Sequence, residues 1–228
     1  MEGSVSVAGA PTTAKTIGEL FTQVGMVFQN PEAQLFSATV EGEIAFGLES
    51  LGLPRPEIRS RIDTTAGRIG LTDLLNRSPH DLSGGEQYLV AAAAILAVDP
   101  SLIILDEPYA NLDPAHGVLL RNMLKKINRR GTAVVICEHR LAPTIPDSGR
   151  MVVLHKGRVA LDGLPAAVLA EDVDDYGLSL PAVVQAGRQM GLTPLPLSVP
   201  EFKSALNDCG LAFETKQTVP VPVSANAK

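Results

Sequence analysis

LIILDEP, residues 102–108, sets four aliphatic side chains directly before two carboxylates and a proline. Leu102–Leu105 shows no alternation of polar and apolar residues. Such a run reads as a strand buried on both faces, of the kind found in a parallel sheet covered by helices. Asp106 and Glu107 then fall at the carboxyl end of that strand, where ligands gather in parallel α/β sheets. One carboxylate there can hold Mg2+, directly or through water, because that hard ion takes oxygen ligands. Its neighbour can orient an attacking water or accept its proton. Taken alone, the stretch reads equally well as a strand end running into a solvated turn.

The rest of the chain supplies the context. AVVIC, Ala133–Cys137, has the same unbroken apolar character and is likewise expected to be buried on both faces. VGMVF (Val24–Phe28), MVVL (Met151–Leu154) and RVAL (Arg158–Leu161) are further strand candidates. Helical stretches lie between them: Val40–Phe46, Pro56–Ile69, the alanine-rich Gly84–Val98, and Ala115–Arg129. The last begins just after a proline and ends in basic residues, as the helix dipole favours. Strands alternating with helices imply right-handed parallel crossovers.

Four further stretches carry candidate chemistry. LSGGE, residues 82–86, offers Ser83 as an N-cap, with Gly84 and Gly85 able to bring backbone N–H groups close to an anion. The same pattern also serves as a plain capped helix after a turn. NLDP occupies residues 111–114. CEHR, residues 137–140, puts His139 after the AVVIC strand, which is expected to lie beside the strand carrying Asp106 and Glu107. VFQNP, residues 27–31, puts Gln29 at another strand end, where a lone glutamine carries almost no signal.

In order and spacing these five motifs resemble those of the ATPase subunits of ABC transporters. VFQNP looks like the Q-loop, LSGGE like the signature motif, LIILDEP like the Walker B strand, NLDP like the D-loop, and CEHR contains the switch histidine. The resemblance covers about residues 16–169. It implies two ATPase subunits facing head to tail, homo- or heterodimeric, with ATP and Mg2+ between the phosphate loop of one and the signature of the other. Ser83, Gly84 and Gly85 would contact the γ-phosphate of the partner's nucleotide, with Glu86 in the same nucleotide-binding set. Asp106 would hold Mg2+ through water and Glu107 would be the general base. His139 would bond the γ-phosphate and position the water. Gln29 would sense Mg2+ and water and pass closure to a transmembrane subunit, and Asp113 would cross the dimer interface. Residues 29–54, QNPEAQLFSATVEGEIAFGLESLGLP, are similar to the energy-coupling-factor and cobalt/nickel importer group, and residues 177–192 fit that group's small extra domain. Where the family commonly has Gln-Arg, this chain has Tyr88-Leu89.

GAPTTAKT, Gly9–Thr16, nearly fits a phosphate loop, but its residues argue against it. Ala14 stands where a glycine is needed, and Pro11 removes a backbone donor. Only 14 positions separate Lys15 from Gln29, whereas the family places several tens of residues there. Thr12–Lys15 is therefore expected in a connector after a strand hairpin. The family resemblance then implies an N-terminally truncated P-loop NTPase-like α/β fold, whose absent part includes a strand beside the Walker B strand. A shortened copy, a misassigned start and a second chain supplying the loop all fit the sequence.

Composition is that of a globular chain: 228 residues, 45% hydrophobic, 19% charged and a net charge of −6. That balance speaks against a nucleic-acid partner bound through phosphate neutralisation. The longest apolar run, Tyr88–Val98, is shorter than the ~20 residues a membrane span takes. The N-terminus has no basic start followed by an apolar core, so no signal peptide is expected. Cys137 and Cys209 fit no metal spacing and are expected to be reduced. The expected organisation is a partial ABC ATPase domain at 1–169, with a helical signature subdomain at about 40–98. A small C-terminal domain follows at 170–228, with helices at Pro181–Met190 and Val199–Asp208 and a frayed tail. The expected role is the ATP-hydrolysing subunit of a membrane importer, cytoplasmic and peripheral on the inner face of the cell membrane. The alternatives are a non-catalytic partner lending its signature motif, or an inert fragment.

Overall fold

In the computed structural model, which describes residues 3–110 and 112–211, the chain starts with a small antiparallel hairpin. Its strands are β1 (Ser6–Val7) and β2 (Ala10–Pro11), and a 3-10 turn at Thr12–Ala14 follows. The stretch that resembles a phosphate loop thus runs through one arm of a hairpin. Thr16 then starts α1 (Ile17–Phe21) with a capping box closed by Glu19.

The next elements run in order: β3 (Val24–Val27), α2 (Val40–Ser50), α3 (Arg55–Ile69), α4 (Gly84–Val98), β4 (Leu102–Asp106), α5 (Pro114–Asn128) and β5 (Ala133–Cys137). α2 continues four residues past the expected Phe46, because Gly47 and Leu48 bury against the core and extend its apolar side. Arg55 and Pro56 open α3, where the missing proline N–H costs nothing. Pro114 does the same for α5, behind an Asp113 N-cap, and Lys125 and Lys126 close it at the negative end of the dipole.

β3, β4 and β5 form a parallel sheet in that order. Val24 pairs with Leu102 and Leu102 with Ala133, and Val27 pairs with Leu105 and Leu105 with Ile136. The LIILD strand is therefore the middle strand, already flanked on both sides. The expected open place beside it does not exist; among the described residues the unpaired outer edges of this sheet are those of β3 and β5.

The expectation that LIIL and AVVIC are buried on both faces is overturned. Burial alternates along β4, with Ile103 and Leu105 buried and their neighbours half-buried, and β5 alternates between exposed and half-buried. Val27, Ile103 and Leu105 share the covered side. On the opposite side Met26 is 38%, Phe28 48% and Val135 46% exposed. The physical reason is that α4 packs on one face alone, and among the described residues nothing lies over the other.

On the covered side the contact is very close. A Cβ on Gly25 would fall 2.1 Å from Ile95 Cγ2 and 3.3 Å from Pro100 Cγ. The small residues of α4 (Ala91, Ala92, Ala93 and Ala97, all buried) permit this approach of helix to sheet. α3 secures the far end of α4, where Arg61 donates to the Ala97 and Val98 carbonyls at 3.1 and 3.4 Å. Those carbonyls would otherwise lack intrahelical partners.

Contacts divide the chain into two compact units between Asp147 and Ser148. In the second unit, β6 (Met151–His155) and β7 (Arg158–Gly163) form an antiparallel hairpin, tied by Arg150 and Asp162 through two bonds of 2.7 and 2.6 Å. Then come α6 (Pro165–Val168), α7 (Ala182–Gln189) and α8 (Val199–Asp208). The division falls before the hairpin, earlier than residues 169/170, because β7 packs with α6 inside the second unit. The tail TVPVPVSANAK, expected to be frayed, lies outside the described residues, as does Asn111 of NLDP.

Gly25→Ala should destabilise the chain by ~1–3 kcal/mol, because overpacking a β-branched neighbour forces backbone shifts. Gly67→Ala, inside α3 with open space around its Cβ position, should instead stabilise it by roughly 0.5–1 kcal/mol. Thermal melts of both variants check the pair.

Candidate functional site

Three strand ends meet at one edge of the parallel sheet. Because Val27, Leu105 and Ile136 are in register, Gln29, Glu107 and His139 all lie two or three residues beyond that row. The side chains converge. Gln29 Nε2 donates to Glu107 Oε2 at 2.6 Å, and His139 Nδ1 lies 3.5 Å from Glu107 Oε1. His139 is 65% exposed, so its ring can reach a ligand above the strand ends.

The backbone aims Glu107. Its φ is +42°, left-handed space that costs a residue with a Cβ about 1–2 kcal/mol. Its N–H donates to the Cys137 carbonyl at 2.9 Å, and its own carbonyl accepts from Ala110 at 3.1 Å. The loop carrying Gln29 is held in turn by Gln34, which accepts from Phe28 N–H at 2.9 Å and donates to the Met26 carbonyl at 3.2 Å.

Asp106 is half-buried at the end of β4. Among the described residues there is no group of three or more His, Cys, Asp or Glu that could cage a metal. A single carboxylate nevertheless fits Mg2+, which keeps several waters and uses one or two carboxylates plus substrate phosphates. Asp106 has the chemistry for that ion.

LSGGE forms the N-terminus of α4, with Ser83 as N-cap. Glu86 folds back on it: its carboxylate accepts from Ser83 N–H at 2.8 Å and Ser83 Oγ at 2.7 Å. Ser83 Oγ accepts from Glu86 N–H at 3.3 Å. Hydrogen bonds from the Ser83 side chain and backbone hold the Glu86 carboxyl below its ordinary range, against the opposing effect of burial. Gly84 is exposed, with nothing within 4 Å of its Cβ position, so an anion can approach this helix end. Asp113 is engaged within its own helix. It accepts from Ala115 and His116 N–H at 2.8 and 2.9 Å and lies 2.6 Å from His116 Nδ1. Its pKa is lowered first by the His116 backbone bond.

The site thus has two parts. Gln29, Glu107, Asp106 and His139 share one edge of the sheet, and Ser83–Glu86 form a separate helix end. Lys15, the lysine of the phosphate-loop-like stretch, donates to the Val7 carbonyl at 2.8 Å and to Gln23 Oε1. That ammonium is held by its own hairpin and the end of α1.

Two residues at the site are not signalled as candidates by the sequence. Glu138 accepts from His139 and Arg140 N–H at 3.0 and 2.9 Å and so shapes the turn that presents His139. Tyr88, on α4, is fully buried. Their one sequence signal is their place in the motifs: Glu138 directly before the histidine, Tyr88 where a glutamine is usual.

The ABC transporter family matches this chain over residues 1–110. EcfA1, an energy-coupling factor transporter ATP-binding protein of Clostridium novyi, is 35% identical over 193 residues, 83% of this chain and 69% of that protein. A Bacillus anthracis protein with an ABC transporter ATP-binding name is 40% identical over 189 residues, 82% of this chain and 34% of its own length. The chain spans about a third of the length of that relative and several others. Among solved structures, cbiO1 of Clostridium perfringens, part of the ABC transporter complex cbiONQ, gives a TM-score of 0.65 at 33% identity, covering 81% of this chain and 74% of that one. A dimeric ATP-binding cassette in a post-hydrolysis state, bound to ADP and Pi, gives 0.64 at 28% identity, covering 72% and 73%.

The depressed Glu86 pKa makes its cap pH-dependent with a definite sign. A carboxyl whose folded pKa lies below its unfolded value stabilises the fold above that unfolded value and loses the effect as pH falls through the folded pKa. The Tm difference between the unaltered chain and Glu86→Gln should therefore be full at neutral pH. It should close as pH falls below the ordinary value of 4.5. Melts at pH 7 and pH 3 read it directly.

Proposed function

The chain belongs to the family of ABC transporter ATP-binding proteins, and from that premise we propose that it is an ATP-hydrolysing subunit of a membrane importer of the energy-coupling-factor or metal-ion type. The observation that carries this reading is the convergence of Gln29 and His139 on the Glu107 carboxylate at the ends of three parallel strands.

Bound ATP with Mg2+ supplies the phosphoryl group to be transferred and the cation that offsets its charge. The chain's own residues do the rest. Glu107 accepts the proton of the attacking water, and Gln29 fixes which carboxylate oxygen remains free for it. His139 donates toward the charge that builds on the phosphoryl oxygens. Asp106 holds the hydrated metal. Catalysis of this kind is positioning and charge stabilisation, and it needs all the parts together.

Ser83, Gly84 and Gly85 lie on a separate helix end, and in this reading they serve a nucleotide held by a second ATPase subunit. Asp113 stands at the interface with that subunit. Among the described residues no helix is long and apolar enough to cross a membrane. Membrane attachment in this reading is peripheral, on the cytoplasmic face, through a transmembrane subunit. The 170–228 segment is proposed as the small extra domain of the importer group, and 40–98 as the helical signature subdomain.

A second reading is favoured by Lys15, which is held by Val7 and Gln23. Here the chain lends its signature motif to another subunit's ATP without hydrolysing its own.

One assay separates the two. Mix the chain with an intact EcfA-type subunit and a membrane subunit and follow phosphate release. Ser83→Arg should abolish the stimulation by this chain under either reading. Glu107→Gln should cut this chain's own turnover by ~10²–10⁴-fold under the first reading, the size expected for loss of a general base. Under the second it should leave turnover unchanged. If neither substitution has an effect, both readings fail.

A further inference from the structure

At the opposite end of the strands from Glu107, the C-terminal turns of α3, α4 and α5 and the starts of β4 and β5 line a cavity of about 40 Å3. Its floor is apolar: Ile103 and Met123 are buried, and Leu96 and Ile127 half-buried. Its rim is polar. Thr65 and Arg68 come from one face of α3, three positions apart. Asp99 caps α4, Arg130 follows α5 and Thr132 precedes β5. None of these five side chains has a hydrogen-bond or ion-pair partner among the described residues. Arg61, two turns earlier on α3, is by contrast held by Glu57 and by the Ala97 and Val98 carbonyls.

Asp99 and the two guanidiniums thus line one cavity without pairing with each other. Opposite charges set apart over an apolar floor suit a ligand that carries both signs and an apolar body. The local backbone agrees. Asp99 stands at the negative end of the α4 dipole, which favours a cation beside it. Arg68 and Arg130 offer planar forks that match a carboxylate. The cavity has room for roughly three water-sized groups, enough for the branched end of a side chain. The charged groups then stay at the rim, where Arg68, Asp99 and Arg130 are exposed.

We propose that this cavity binds a free α-amino acid with an apolar side chain. The ligand's ammonium meets Asp99, its carboxylate meets Arg68 and Arg130, and its side chain covers Ile103 and Met123. The Thr65 and Thr132 hydroxyls supply further donors to the carboxylate. Ile103 stands four residues before Glu107 on β4, roughly 13 Å along the strand, so this site rests on no part of the ATPase reading.

The test needs no ATP. The full chain is titrated with L-leucine while its methyl NMR signals are followed. Saturable shifts at Ile103 and Met123 are expected; none at about 10 mM leucine overturns the proposal. The compound 4-methylpentanoate lacks the ammonium and 3-methylbutylamine lacks the carboxylate. Each should bind at least about tenfold more weakly than leucine. Equal binding of either removes the need for a ligand of both signs and sinks the assignment. Leucine affinity should also fall about tenfold or more in Asp99→Asn and in the double variant Arg68→Gln, Arg130→Gln. All three side chains are exposed, and asparagine accepts the left-handed backbone of residue 99, at φ +62°. Both variants should therefore melt as folded proteins. Unchanged affinity in both places the ligand elsewhere and refutes the site.

Discussion

The register of three parallel strands is the constraint on which the rest of the structure depends. Val27, Leu105 and Ile136 lie in one row, so the residues just beyond them leave the sheet at the same level. A shift of one residue in either pairing would send alternate side chains to the opposite face. The register is held from the covered side, where Gly25 admits Ile95 at a distance that no side chain tolerates. α4 therefore does two things with one set of residues. Its alanines bring it down onto β3 and its first turn presents the Ser83–Glu86 cap.

Polar order at the site is built on top of that packing. Glu107 sits in left-handed backbone, and the strain is offset by bonds to Cys137 and from Ala110. Gln29 and His139 then approach its two oxygens from neighbouring strand ends. The helix end is arranged differently. Glu86 occupies the Ser83 donors, so an incoming anion meets the exposed Gly84 and must compete with a carboxylate for the serine. Charge at this end is already partly neutralised by the protein's own residue, which lowers the cost of leaving the helix dipole unpaired.

Much of this is legible in the amino-acid order alone. α4 and β5 fall on Gly84–Val98 and Ala133–Cys137, as their composition indicates. Asp106, Glu107 and His139 are readable as candidates because each ends an apolar strand; Gln29 is readable only through its place in the ordered motifs, which also give the family. Burial of the sheet is not legible in the same way. An unbroken apolar run such as AVVIC records what a strand can be covered by, and nothing among the described residues covers Met26, Phe28 and Val135. The misplaced open edge has a similar origin, since strand order is a long-range property that no local pattern carries.

The sequence by itself determined most of the elements, the N-cap at Ser83 and the identity of the carboxylates, because these depend on neighbours within a few positions along the chain. Only the tertiary structure decided that LIILD is the middle strand, that Lys15 is bound back to its hairpin, and that Gln29 reaches Glu107 across 78 positions of sequence. It also decided that the Tyr88 hydroxyl and Glu138 Oε2 are buried, with no hydrogen-bond partner among the described residues. Those outcomes depend on which surfaces meet when α4 closes on the sheet, and desolvation at that contact turns an ordinary tyrosine and glutamate into groups that must find partners.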